Sequence, residues 1–252
     1  LFVLCLLPLP FTYAGFLPGT ALAPTNLLTS VPPWLGPEIA VPVQAESGPV
    51  NPLLMDPVSQ MLPWRRAARE RWLFNPYQGA GAALLANGQS AVLFPTEVLA
   101  RRLPPLRAAT YGQAARLLVA VFGMFLLARF LALPEPAALV AAAVYGGSGF
   151  LHVWRLHPHS LVAAVAPFIL WAALALGRRP GPLPALGLGV AGAVGVFAGH
   201  PETLLKVVLL AAAVAVIELA VRGRERLRGL LRAVLQLASL KQKRSVLEDP
   251  GG

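Results

Sequence analysis

The chain has little charge, little acid and almost no cysteine. Only 13% of its 252 residues are charged, about half the share of a soluble domain, while 56% are hydrophobic and mean hydropathy is +0.65. That shortage excludes an ordinary water-soluble globule and marks a membrane protein. Cys5 is the single cysteine and lies in an apolar run. It excludes an intrachain disulfide framework and a cysteine-based zinc site. Acidic residues number 11 against 21 lysines and arginines, a formal net charge of +10. The basic residues flank apolar runs and do not gather in one soluble patch. The excess therefore reads as topology and contact with anionic lipid, not as nucleic-acid binding. The sequence also has no Walker-type loop and no Ser-His-Asp arrangement.

What is present is an all-α, polytopic transmembrane helix bundle of about six spans. Residues 1–17 are apolar but interrupted by Pro8 and Pro10. They read as a partial first span, with a signal-peptide remnant as the alternative. Residues 18–112 form a long outward-facing loop with ten prolines between Pro18 and Pro63, too many for a continuous helix. Apolar segments near 113–133, 137–153, 161–176, 183–198 and 203–221 make a five-helix bundle over 113–222. Residues 223–252 form a basic cytoplasmic tail. The chain starts at Leu1 and ends at Gly252 just behind that basic segment, and it reads as a fragment of a longer protein.

Within the long loop, Met61, Trp64, Ala68 and Trp72 recur on one helical face, with Arg65, Arg66, Arg69 and Glu70 off it. This predicts an amphipathic helix over 57–74 lying in the membrane interface, where Pro63 is a point of kinking. A second amphipathic piece is expected over 96–107. Arg129, the Arg178–Arg179 pair and the arginines Arg222, Arg224, Arg226, Arg228 and Arg232 sit at alternate span ends. The positive-inside rule makes those ends cytoplasmic. Asp56, His152, Arg155, His157, His159, His200 and Glu202 then share the outward face, which holds all four histidines.

Asp56-Pro57 suits a helix start, with Asp as cap and Pro in the first turn. An ionised Asp56 could equally accept a proton from a hydroxyl. Arg65, Arg66 and Arg69 are suited to gripping a phosphate, or to facing headgroups. Asn75, Asn87 and Gln89 offer the paired donors and acceptors that sugar hydroxyls need. The spacing of His152, His157 and His159 specifies no metal site. Gly199-His200-Pro201-Glu202 reads as a tight turn, and also as a second polar wall to an outward site. Gly146, Gly147 and Gly149, and Gly187, Gly189, Gly192 and Gly195, read as small residues that let helices pack closely.

The runs Asp56-Pro57-Val58-Ser59-Gln60, Pro63-Trp64-Arg65, Asn75-Pro76-Tyr77-Gln78-Gly79-Ala80, Leu85-Ala86-Asn87-Gly88-Gln89-Ser90 and Phe94-Pro95 resemble bacterial YfhO-like membrane proteins. So do Ser148-Gly149-Phe150, His157-Pro158-His159 and Gly199 through Thr203. Those proteins are similar to the GT-C superfamily of polytopic glycosyltransferases, and the resemblance covers residues 45–222. It implies sugar transfer from a polyprenyl-phosphate-linked donor to an envelope glycan or lipid acceptor. The site would lie on the outer face of a bacterial cytoplasmic membrane, with Asp56 as general base. It further implies that Arg65, Arg66, Arg155, His157, His159, His200 and Glu202 hold the phosphate or line the site. Gln60, Asn75, Tyr77, Asn87 and Gln89 would contact sugar or acceptor. No cofactor is specified, and a divalent cation is compatible with such a site. Family members carry more spans and often a further outer domain. The alternative reading is a non-catalytic protein that binds or translocates lipid-linked glycans, or assists envelope assembly.

Overall fold

A computed structural model describes residues 2–25, 27 and 55–223. The stretch of the proline-rich loop between them, and the tail arginines from Arg224 onward, lie outside the described residues. The described residues are 73% helical with almost no strand. The chain opens with α1 (Phe2–Leu6), α2 (Leu9–Thr12) and a 3-10 turn (Tyr13–Phe16). A π-helical turn, Pro57–Met61, runs into α3 (Leu62–Glu70). A small hairpin follows, β1 (Phe74–Asn75) against β2 (Ala82–Ala83), antiparallel with Phe74 opposite Ala83. Then come α4 (Pro95–Ala100), α5 (Pro105–Phe130), α6 (Glu135–Gly146), α7 (Gly149–Val153), α8 (Pro158–Arg178) and α9 (Pro182–Phe197). The last helix, α10, covers Pro201–Gly223.

Among the described residues, four helical stretches are long and apolar enough to cross a membrane: α5, α6 with α7, α8 and α10. The expected first and fifth spans are shorter. Phe2–Phe16 is broken into short turns, and α9 has 16 residues, about 24 Å of helix against a core of about 30 Å. Prolines set most of the starts. Pro105, Pro158, Pro182 and Pro201 each stand at or beside a helix N-terminus, where the missing amide hydrogen costs nothing. Consequently α5 begins well before residue 113, and the piece expected over 96–107 divides into α4 and the first turn of α5.

The amphipathic helix also differs from expectation. It ends at Glu70, and Trp72 lies beyond it, 40% exposed. Its apolar face (Met61, Trp64, Ala67 and Ala68) packs on Leu84 and Val92 of the following loop. Pro63 does not break it. The Leu62 amide reaches back to the Pro57 carbonyl, and this wider turn accommodates the proline ring that a tight α turn would crowd.

Inside the bundle, α5 and α8 form the spine. Leu117, Ala120, Leu151 and Ala164 make one cluster, and Leu161, Val165 and Ile169 pack with Ala198 and Ala211 in another. Gly146 permits close approach, since a Cβ there would collide with Val121. Pro167 lies within α8 and cannot bond the Ala163 carbonyl. The Tyr145 hydroxyl of α6 donates to that carbonyl at 2.7 Å and repairs the gap from the neighbouring helix. At one end of the bundle Arg178 donates to Glu218 (3.0 Å) and to the Phe130 carbonyl (2.9 Å), and Arg222 donates to the same Glu218 oxygen (2.8 Å). Of the arginines expected on one membrane face, Arg129, Arg178, Arg179 and Arg222 are described, and they stand at this same end.

Tyr145→Phe removes the only repair of the Pro167 gap among the described residues and leaves a carbonyl unsatisfied in an apolar setting. We expect a loss of about 1–3 kcal/mol, seen as earlier unfolding in a detergent denaturation series.

Candidate functional site

The opposite end of the bundle carries the loop and every histidine. His157 sits before Pro158 at the start of α8, and His200 before Pro201 at the start of α10. Pro158 keeps His157 extended, whereas the His200 ring turns back over its own helix start, where its Nδ1 accepts the Thr203 amide at 3.2 Å. The His159 and His200 rings lie 3.5 Å apart between centroids, Trp154 stacks on His159 at 4.3 Å, and His157 meets Trp154 edge-on at 5.1 Å. His152 stands apart from this stack. It lies on the Phe11 ring at 4.2 Å and bonds the Gly146 carbonyl at 2.9 Å, across the break between α6 and α7.

Two distant loop motifs meet here as well. Gly199 has φ +84°, and a Cβ would collide with the Gly88 carbonyl oxygen. Only glycine fits the turn, which brings the Asn87-Gly88-Gln89 segment against the His200 corner. Asp56 is exposed, and its Oδ1 accepts the Gln60 side-chain amide at 3.1 Å. It makes no capping bond and its own backbone is helical, so the expected N-cap role is not adopted. Its charge nevertheless acts on His157, favouring the protonated ring. Beside it opens a pocket of about 640 Å³ lined by Pro57, His152, Arg155 and His157, with the 21–24 backbone on the far side.

Several expected ligand residues are committed elsewhere. Arg65 forks onto Glu97 at 2.7 and 3.0 Å in a buried ion pair, which leaves only its Nη1 without a partner. Burial works to raise the Glu97 carboxyl, but the Arg65 charge and its hydrogen bond, with Arg116 and Arg101 beyond, hold it below the ordinary range. Asn75 is buried, and its side-chain oxygen accepts the Tyr77 amide, so it shapes the hairpin turn. The Tyr77 hydroxyl donates to Glu70 at 2.6 Å. Glu202 is exposed and bonded to Lys206 at 2.6 Å, within electrostatic reach of His200. Arg66, Asn75 and Tyr77 do share a second pocket, about 480 Å³, with Ser59, Pro63 and Gln78. Gln89 is exposed and Asn87 half-buried. Arg155 spends its Nε on the His152 carbonyl.

Three contributors carried no signal at the level of motif. Arg116, 2% exposed, donates to the Arg155 carbonyl and the Ser160 hydroxyl. Ser160 in turn donates to the Trp154 and His157 carbonyls at 2.6 and 2.9 Å. Trp154 holds the imidazole stack. An arginine amid the apolar residues of a span was the one available clue. His157 Nδ1 and His159 Nδ1 are buried without a partner. No group of three His, Cys, Asp or Glu among the described residues is placed to hold a metal ion. Comparison with family models, curated proteins and solved structures returned no match.

Burial is the main cause that pushes His157 below the ordinary histidine value, with Arg116 and Arg65 adding to it and Asp56 opposing. His200 is pushed the same way by burial first, with Lys206 adding and Glu202 opposing. The fold therefore favours neutral rings, and on acidification the unfolded chain takes up protons first. The resulting stability is present above about pH 6.5 and lost as pH falls through the folded-state values. Thermal unfolding in detergent should therefore come earlier at about pH 5.5 than at about pH 7.5. His157→Gln should shrink that difference.

Proposed function

We propose that this chain carries the active site of a GT-C-type membrane glycosyltransferase of the YfhO-like kind. It would move a sugar from a polyprenyl-phosphate-linked donor to an envelope glycan or lipid acceptor. The observation that carries this reading is the setting of Asp56. An exposed carboxylate sits within electrostatic reach of His157, beside a pocket of about 640 Å³ that also holds Arg155. Pockets of that size suit small-molecule groups.

The chemistry follows from those positions. Asp56 accepts the proton of the acceptor hydroxyl as its oxygen bonds the anomeric carbon. The bond from that carbon to the phosphate oxygen breaks, and the phosphate leaves with the electron pair. Arg155 and a His157 N–H stabilise the charge that develops there. The Gln60 amide, bonded to Asp56 Oδ1, fixes the carboxylate rotamer. Arg66 and Tyr77, in the second pocket, contact sugar or acceptor hydroxyls. In membrane terms, the arginine-rich end is cytoplasmic and the histidine end faces outward across a bacterial cytoplasmic membrane. The two short apolar stretches, Phe2–Phe16 and α9, complete six spans where the bilayer thins locally.

Asp56→Asn is the test. Transfer of sugar from a lipid-linked donor should fall by about 10²–10⁴-fold with the fold intact. Turnover retained by the variant sinks the general-base assignment.

A second reading draws on a different fact. The Asp56 carboxylate already accepts the Gln60 amide and is not among the groups lining the pocket. A protein that binds or moves lipid-linked glycans without chemistry would need no more. In that case neither the parent chain nor Asp56→Asn transfers sugar, and both retain binding of the lipid-linked glycan.

A further inference from the structure

The far end of the bundle, away from Asp56 and the histidines, contains a groove of about 830 Å³ between α5, α8 and α9. Its walls are apolar, with Phe130, Phe168, Trp171, Leu186, Gly187 and Val190 among them. The sequence pattern of α9 reads as a small-residue packing stripe, yet only Gly195 packs against neighbours. A Cβ at Gly187, Gly189 or Gly192 meets nothing within 4 Å. Leu183, Leu186 and Val190 are 77%, 64% and 56% exposed. Together with the walls from α5 and α8, these side chains leave an open slot along the helix.

The mouth of this slot is basic. Phe130 forms its end wall, and the Arg178 guanidinium lies 4.4 Å above that ring. Ala175 lines the slot, and its carbonyl accepts the Arg179 amide, so the Arg178–Arg179 pair closes the helix at the opening. Arg129 and Arg222 stand at the same end. Against these four guanidiniums the described residues place two carboxylates there, Glu218 and Glu135, and Glu218 is already shared by Arg178 and Arg222. Arg179 is exposed and has no acidic partner among the described residues.

An apolar slot that ends where guanidiniums outnumber carboxylates, with Arg179 exposed and without an acidic partner among the described residues, matches one molecular shape, an acyl chain joined to an anionic headgroup. We propose that the groove between α8 and α9 binds an anionic phospholipid. One acyl chain lies along Phe168, Trp171 and Gly187, and the phosphate is held at Arg179 beside Arg178. The site is on the opposite membrane face from Asp56, does not depend on its chemistry, and takes an intact lipid as a resident partner. Anionic lipid and clustered arginines attract each other at such an interface by about 1 kcal/mol per charge.

Two variants separate headgroup from chain. Arg179→Gln removes a surface charge without touching the packing. Gly187→Phe fills the slot from a position with open space around it. The probe is native mass spectrometry of the purified protein with phosphatidylglycerol or phosphatidylcholine titrated into the micelle. The expected result is preferential phosphatidylglycerol binding, lowered about fivefold by Arg179→Gln and abolished by Gly187→Phe. Equal binding of the two lipids, or retention unaffected by Gly187→Phe, overturns the proposal. A protein dimer that excludes lipid and is lost in Gly187→Phe also overturns it, because the occupant is then a second copy of the chain.

Discussion

A guanidinium inside an apolar helix must find its acceptors within the protein, and Arg116 imposes that requirement here. It points from α5 into the connection between α7 and α8, where the Arg155 carbonyl and the Ser160 hydroxyl receive it. Those two acceptors belong to the segment that also carries Trp154, His157 and His159. The shape of that segment is thus set from behind by a buried charge, and Ser160 passes the constraint on to the Trp154 and His157 carbonyls. Glu97 and Arg65 are the nearest compensating and competing charges. A single carboxylate therefore serves more than one cation in a region with little water, where losing a partner is costly.

The same economy governs the loop. The apolar face of α3 is covered by the stretch that follows the hairpin, through Leu84 and Val92, and Trp64 donates its indole N–H to Gln78 at 2.8 Å. The loop is thereby a small folded layer over the helix ends and not a tether. Its packing holds Asp56 and Gln60 at the edge of the layer, where their side chains bond each other.

Much of the bundle could be read in advance because hydrocarbon permits few backbone solutions. The apolar segments fell where α5, α6, α8 and α10 run, and alternating arginines marked Arg129, Arg178 and Arg222 as neighbours at one end. The failures have a common cause in contacts between residues far apart in sequence. Trp72 fitted the helical period of Met61 and Trp64, but the hairpin at Phe74 takes the chain off that axis first. Arg65 had the chemistry of a phosphate ligand, yet Glu97, beyond the hairpin, occupies its fork. Asn75 looked like a sugar contact and is spent on a turn. The meeting of His159 with His200 was legible only as a shared membrane face. The repair of the Pro167 gap by Tyr145 left no trace in local pattern.

The fit of Gly199 against Gly88 also bears on how the protein is made. The loop emerges from the ribosome long before the turn that completes its support. Until α10 is inserted, the Gly88 carbonyl faces no partner turn and His159 lacks the ring that covers it. The loop layer is therefore finished last, although it is synthesised early. A nascent chain halted before residue 199 would carry its transmembrane spine and yet present an unfinished surface to the quality-control machinery.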